Sequence, residues 1–543
     1  MLLKLQDKPL LVLALLVFIM LGFNLDVIPV SIMEARNFIT AREMLMDDNW
    51  LLTTMNGEPR YQKPPLPSWI CAMFGLAFGI KSTVALRFPA LVFIVITGYF
   101  SNRITKEISK NKSQSLHTGL ILVTSLYVIA IAFEAPSDIF THGFMLIGIY
   151  QLLLMFKRNE AFVKRTLIAG FFIGCSILSK GPVSLYVLFL PFLLAYGFSF
   201  RYRFSKKLFL SLVTSIILAL LIGGWWYLYV RLEDAETFTK ITERETGNWT
   251  SYNVRPFYYY WSFFVQSGIW TILAFVSLLY PYLRKKVKHL KAYKFSFYWT
   301  LFSVILLSII PEKKSRYLMP VLIPLAINTG FYLEFLIQRF KYSSTWREKI
   351  PVNLHFGLMA IISISVPVVL FFVLKEQLYN YILNYVALSI VIILLGVLLL
   401  IRLKQKNIKA AFYLNILFFA MLVALGLPLL NAFKSDNYNP PKDLLSSAES
   451  KNLEVYALGH ISPEMIWEYG NKLNQLETEN GLILPEEQAF GLLTDGLDSQ
   501  DLKQIERQFE VEKRDIYDLN ITPEGARGYN ERLRTEFYIL TKK

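Results

Sequence analysis

Three short segments of this sequence set basic side chains directly against apolar runs, and two acids lie near them. Residues 31–67 carry Arg36, Arg42, Arg60 and Lys63, the turn SKGP carries Lys180, and the turn PEKKSR carries Lys313, Lys314 and Arg316. Lys and Arg beside a bilayer are costly unless they serve a site; guanidinium groups grip phosphate oxygens bidentately, while ammonium acts as a point charge. Gathered on one surface, Lys63, Lys180 and the 313–316 group make an anion site, with a lipid phosphate as its expected ligand. Taken singly, each reads better as a snorkelling interfacial charge. The acids are Glu34, in MEARNFITAREM, and Asp138, in EAPSDIF. A carboxylate can take the proton of an attacking oxygen while cations stabilise a departing phosphate. Each acid also has a structural reading: Glu34 as a charge at a helix N-terminus paired with Arg36 or Arg42, and Asp138 as a cap of the helix that Ser137 and Asp138 open. As oxygen ligands the two are also candidates to hold a divalent cation.

The elements that must position these residues are membrane spans. Of 543 residues, 54% are hydrophobic and only 18% charged, and the mean hydropathy is +0.41. A span needs about 20 apolar residues, and thirteen segments read as spans, the fifth of them short, near 9–30, 83–101, 116–134, 137–156, 166–179, 182–198, 208–230, 256–283, 295–311, 317–338, 352–375, 380–401 and 410–431. The first run, Pro9 to Leu25, is too long for a signal-peptide core and no small-residue cleavage site follows it, so it reads as a span. The N-terminus and every second loop (1–8, 102–115, 157–165, 199–207, 284–294, 339–350, 402–409) together hold 28 Lys and Arg but only Asp7, Glu107, Glu160 and Glu348 as acids. The positive-inside rule places this set in the cytoplasm, and the basic balance reflects topology, with no nucleic-acid partner implied. Two cysteines in apolar surroundings support neither a disulfide framework nor a zinc site. None of the five histidines has metal-ligand spacing, and His142 reads as a core histidine.

On the opposite, outer side lie the loop 31–67, an apolar stretch Trp69–Ile80 suited to the interface, the loop 231–255, and the polar tail 432–543. In the tail, LEVYALG, AFGLLTD, FEVEKRDIYDL and RTEFYILT read as strands, and PPKDLLSSAES, SPEMIWEYG and SQDLKQIERQ as helices. The expected architecture is an α-helical polytopic membrane domain, 1–431, with a small α/β domain, 432–543, outside. The run Tyr258-Tyr259-Tyr260-Trp261 reads as an interfacial aromatic belt. A transporter or flippase of an anionic lipid is the rival from another class. Such proteins show inverted repeats and paired broken helices, whereas here no internal symmetry appears and the unusual charges cluster on one face.

The outer loop reads MEARNFITAREMLMDDNWLLTTMNGEPRYQKPPLPSW from Met33 to Trp69. Together with Asp138, the SKGP turn, and a K-x-R-Y-x-x-P element at Lys314, Arg316, Tyr317 and Pro320, it resembles the lipid A aminoarabinose transferases and related bacterial members of the protein O-mannosyltransferase superfamily. The resemblance is close up to about residue 340 and loose beyond. It implies a GT-C fold and a sugar donor linked to polyprenyl phosphate. Transfer to a lipid A, glycan or protein acceptor is implied at the outer face of the bacterial inner membrane. By the same resemblance, Lys63 contacts the donor phosphate, Lys180, Lys314 and Arg316 correspond to the family's other basic residues, and Asp138 to its second-loop aspartate; Arg36, Arg60 and Tyr317 are expected beside them on the substrate, with Glu34 and Asp138 as the candidate catalytic acids. One departure stands out: the family begins its loop with Asp-Glu, and Met33 occupies the Asp position. Four readings stay open: Glu34 takes over, Asp138 is the main acid, Asp26 reaches in, or the acceptor needs no base.

Overall fold

The computed structural model of the chain describes residues 5–134, 136–203, 205–342, 345–478 and 481–543. The first four residues of the N-terminal segment and Ser343 and Ser344 of the loop 339–350 thus lie outside the described residues. In chain order the apolar helices are α1 (Pro9–Gly22), α2 (Thr83–Ser109), α3 (Lys112–Val123), α4 (Leu126–Glu134), α5 (Pro136–Arg158), α6 (Phe162–Lys180), α7 (Leu185–Phe200), α8 (Lys206–Glu233), α9 (Leu290–Ile309), α10 (Ser315–Tyr342), α11 (Trp346–Leu374), α12 (Gln377–Lys404) and α13 (Ile408–Phe433). Among the described residues, nine of these can cross a membrane alone by length and composition, and α3 with α4 forms a tenth bent by 45°. The helices α1 and α7 are shorter, as is a further apolar helix, Leu66–Phe78, at the expected interfacial stretch. The chain is therefore a multi-pass membrane protein.

Twelve of the thirteen expected spans are thus present as apolar helices or a bent pair. The exception is 256–283, which breaks into the short pieces Phe257–Tyr260, Phe263–Trp270, Thr271–Ser277 and Tyr280–Leu283. Pro256 and Pro281 remove helix donors at both ends, and Gly268 takes φ 64 and ψ −115 in the middle. Hydropathy alone does not register such breaks.

The chain forms two compact units, the first made of Met1–Ile28, Tyr61–Ile70 and Arg87–Leu429. Within it, α6 packs between α5 and α8 on small residues. A Cβ on Gly174 would fall 2.6 Å from Cβ of Ile222, and one on Gly223 would fall 2.5 Å from Cβ of Ile177. The backbones approach closely because neither helix presents a side chain there, a common solution where lipid supplies no hydrophobic drive between helices.

The second unit is wider than the tail: it joins Pro29–Arg60 and Cys71–Leu86 to Leu430–Lys543. All seven tail elements read from the sequence are present. The strands are β1 (Val455–Leu458), β2 (Asn474–Gln475), β3 (Ala489–Thr494), β4 (Phe509–Asp518) and β5 (Arg534–Lys542), ordered β2-β1-β3-β5-β4. β1 runs parallel to β2 and β3, and the remaining pairs are antiparallel. Of these strands, the sequence reading missed only the two-residue β2. Helices Leu444–Ser450, Pro463–Tyr469 and Ser499–Glu506 accompany the sheet, and Phe490, Leu492, Ile505, Phe509 and Leu540 form its core. The loop 31–67 contributes the helix Ile32–Met46, whose buried Arg42 donates to the carbonyls of Ile466 (3.5 Å) and Asn471 (3.0 Å) and lies 5.9 Å from the Trp467 ring. Asn56 exchanges two hydrogen bonds, 2.9 and 2.8 Å, with the backbone of Leu473. Glu43, buried, accepts from the Thr54 hydroxyl (2.5 Å) and the Asn56 amide (2.6 Å). The loop thus has a fixed conformation because tail backbone groups complete its hydrogen bonds.

Gly174→Leu is expected to force α6 from α8 and destabilise the helical unit by about 1–3 kcal/mol. A lowered melting temperature in detergent would show it, and an unchanged one would refute the close-approach account.

Candidate active site

In the helical unit, Asp138 occupies the first turn of α5 and Lys180 is the last residue of α6. The Lys180 ammonium donates to Oδ1 of Asp138, forming an ion pair whose members are 10% and 4% exposed in their side chains. The second carboxylate oxygen, Oδ2, is buried and has no hydrogen-bond partner. Local sequence sets this meeting. The Ser176 hydroxyl donates to the Thr141 carbonyl at 2.7 Å and lies 2.6 Å from the Ser184 hydroxyl, fixing α5 against α6 one turn from both charges. Gly181 then ends α6 at φ 71, a left-handed conformation in which a Cβ would also lie 3.0 Å from the Tyr227 hydroxyl.

Tyr317 connects this pair to the third basic segment. Its ring centroid lies 5.1 Å from Nζ of Lys180, 5.7 Å from Nζ of Lys314 and 5.8 Å from Cζ of Arg316, within the range of cation–π attraction. Its hydroxyl donates to Glu312 at 3.3 Å, and Glu312 forms a 2.5 Å ion pair with Lys314. Lys314 also sits 4.8 Å from the Tyr252 ring. The backbone of Lys314 is held by one phenol: the Tyr260 hydroxyl accepts from its N–H (2.9 Å) and donates to its C=O (3.1 Å). Tyr260 is fully buried, so the belt reading of the run 258–261 fits Tyr258 and Trp261, which are 66% and 57% exposed, but not Tyr260. Lys313 faces elsewhere. Its ammonium donates to the carbonyl of Ile310 (2.6 Å), freed where α9 ends, and to that of Arg255 (3.0 Å), and burial lowers its pKa.

Lys63 joins the same field. After Lys180 and His142, it is among the charges acting on the Asp138 carboxylate. The segment that carries it is anchored on both sides. Tyr61 donates to Asp234 at 3.1 Å, burial and this bond pushing the phenol up to about 12; Trp69 stacks on Trp225 at 6.2 Å. Helical-unit residues expected at the site, Lys63, Asp138, Lys180, Lys314, Arg316 and Tyr317, are thus linked by contacts or by field.

Glu34, Arg36 and Arg60 belong to the other unit. Glu34, fully buried, accepts from the Ser31 amide (3.0 Å) and hydroxyl (3.2 Å) and closes a capping box at the start of the helix Ile32–Met46. Arg60 donates to Thr40 and Asn37, both at 2.9 Å. Burial, and then the charge of Arg36, push the Arg60 guanidinium down to about 9. Asp26 is exposed, whereas Met33 is buried. Among the described residues, no group of three or more His, Cys, Asp or Glu is arranged to hold a metal ion.

Two acids escaped the sequence reading. Glu312 opens the segment read only for its lysines, and its signal was the acid two residues before Lys314. Glu134 accepts from Tyr127 at 2.6 Å, and Tyr127 lies in the fields of both Arg316 and Asp138. No sequence signal singled out that pair.

A family model described as dolichyl-phosphate-mannose-protein mannosyltransferase matches residues 62–227, a stretch that includes Lys63, Asp138 and Lys180. An uncharacterized protein of Aquifex aeolicus is 29% identical over 59% of this chain and 62% of its own length. The undecaprenyl phosphate-alpha-4-amino-4-deoxy-L-arabinose arabinosyl transferase 1 of Proteus mirabilis is 23% identical over 60% of this chain and 59% of its own. The chain therefore spans about six tenths of the length of these relatives. The crystal structure of ArnT from Cupriavidus metallidurans bound to undecaprenyl phosphate superposes with a TM-score of 0.68 at 14% identity, covering 98% of this chain and 97% of that one. The fold is accordingly the ArnT-like GT-C fold.

Removing one partner of a buried ion pair leaves an uncompensated charge, so Lys180→Leu is expected to destabilise the protein by about 3–5 kcal/mol. The double variant Lys180→Leu/Asp138→Leu should regain most of that loss. Thermal unfolding of the four proteins in a double-mutant cycle checks this, and additive losses would mean that the two groups do not interact.

Proposed function

We propose that this chain is a glycosyltransferase that moves a sugar from a polyprenyl-phosphate donor to a lipid A, glycan or protein acceptor. In this reading the chain lies in the bacterial inner membrane, with its N-terminus cytoplasmic and the region 432–543 a periplasmic domain; transfer takes place at the outer face. The observation that carries the proposal is the Asp138–Lys180 pair, one carboxylate oxygen without a hydrogen-bond partner, set beside Tyr317 and its cations.

Bond by bond, the sugar's anomeric C–O bond to phosphate breaks, and the electron pair leaves with the phosphate. An acceptor oxygen forms the new bond to the anomeric carbon. Lys63, Lys180, Lys314 and Arg316 offset the charge that grows on the departing phosphate. Tyr317 and Tyr260 hold those cations where the charge appears instead of letting them extend into water. Where the acceptor is a hydroxyl, Oδ2 of Asp138 takes its proton; where it is an ionised phosphate, no base is needed. We assign this role to Asp138 over Glu34 because the Glu34 carboxylate closes a helix start. Arg36 and the buried Arg60 are like charges close enough to repel, and a bound phosphate would relieve that repulsion; we assign them to substrate binding.

In proteoliposomes with a labelled polyprenyl-phosphate sugar, Arg316→Ala is expected to lose nearly all transfer while the protein still inserts. Asp138→Asn should lower kcat about 100- to 10,000-fold for a hydroxyl acceptor and far less for a phosphate acceptor. Labelled lipid crossing the bilayer with its glycosyl bond intact, and no transfer product, would instead establish a transporter.

A further inference from the structure

We infer that the opposite end of the helical unit holds a second anion site, built for the phosphate of an anionic membrane lipid. A cavity of 470 Å³ opens there, lined by Lys8, Arg103, Lys106 and Lys112, with Asp7 the only acid among the described residues that line it. Its distance from the candidate active site follows from α5, which carries Asp138 in its first turn and Arg158 at its last residue. At about 1.5 Å per residue, the 23 residues of that helix span roughly 34 Å. Arg158 pairs with Glu107 at 2.7 Å, next in sequence to Lys106. A whole membrane thickness therefore separates the two places, and the donor phosphate of the proposed transfer cannot reach this one.

Three features mark the cavity as a built site and not a scatter of surface charge. Arg103 is fixed: its Nε and Nη2 donate to the Tyr150 hydroxyl at 3.1 and 2.9 Å, and the rings of Tyr99 and Tyr150 flank its guanidinium at 5.8 and 5.5 Å. The floor is polar and buried, with Asn102 and Ser115 each 2% exposed. One wall is apolar and turned outward, where Leu10 and Leu11 of α1 are 50% and 51% exposed. A soluble anion would need only the basic groups. An apolar wall that faces hydrocarbon beside a basic floor suits an amphiphile, its phosphate on Arg103, Lys106 and Lys112 and an acyl chain along Leu10 and Leu11; basic pockets between helix ends take such headgroups. Lys112 reaches Asp7 at 2.7 Å, but both side chains are more than half exposed, so screening by water leaves that pair easy to open.

The test uses the full chain in nonionic detergent, titrated with phosphatidylglycerol and read by native mass spectrometry and by thermal shift. Wild type should retain bound phosphatidylglycerol in preference to phosphatidylcholine and gain stability from it. Near a membrane each basic residue contributes about 1 kcal/mol, so Lys106→Glu should weaken phosphatidylglycerol binding roughly tenfold or more and Lys8→Ala about fivefold. The equally exposed Lys164, outside the cavity, is the control, and Lys164→Glu should leave binding unchanged. Equal losses for Lys106→Glu and Lys164→Glu, wild-type binding by both cavity variants, or the same stabilisation from inorganic phosphate alone would each overturn the proposal.

Discussion

A charge can stay inside a membrane-spanning bundle only if something in the bundle answers it. The meeting of Asp138 and Lys180 satisfies that constraint, and much of the helical unit can be understood as the means of enforcing it. Two helices must end at the same level, so α6 stops at Gly181 where α5 begins at Pro136. They must not slide, so Ser176 holds Thr141. The neighbouring helix must come close, so Gly174 and Gly223 present no side chains. Each feature is cheap alone, and together they place one carboxylate and one ammonium with little freedom to move.

The same economy extends to the turn between α9 and α10. Three basic residues within four positions do three different things: Lys313 satisfies backbone carbonyls, Lys314 is aimed by the Tyr260 phenol, and Arg316 lies beside Tyr317. Adjacent cations would otherwise repel. Assigning one of them to the backbone and one to an acid, Glu312, leaves a concentrated positive field that remains compatible with burial.

Much of this was legible in the sequence because lipid imposes a coarse rule. Spans of about 20 apolar residues and a one-sided bias of Lys and Arg are required by the solvent, so helix count and the odd basic residues stood out. The tail was legible for a different reason: AFGLLTD is a short apolar run that becomes a strand buried on both faces, and RTEFYILT alternates as a strand with one face buried does. What escaped depends on contacts between distant segments. Nothing in the run at 257–261 says that Tyr260 turns inward to Lys314 while its neighbours face outward, and hydropathy cannot show that Gly268 interrupts an otherwise apolar stretch. The capping role of Glu34 was visible as Ser31 three residues before it, yet the same residue also fitted a catalytic pattern, and sequence spacing alone could not choose.

The joining of an early loop to a late tail sets a schedule for biogenesis. Arg42 and Ile466 are 424 positions apart, and Asn56 and Leu473 are 417. At roughly 5–20 residues per second of synthesis, the loop exists for on the order of tens of seconds before its partners have been made. During that interval the Arg42 guanidinium and the Asn56 amide lack the carbonyls they bind in the folded protein. A chain cut short before Ile466 would therefore carry every apolar helix, while Arg42 and Asn56 lacked the backbone carbonyls that hold them.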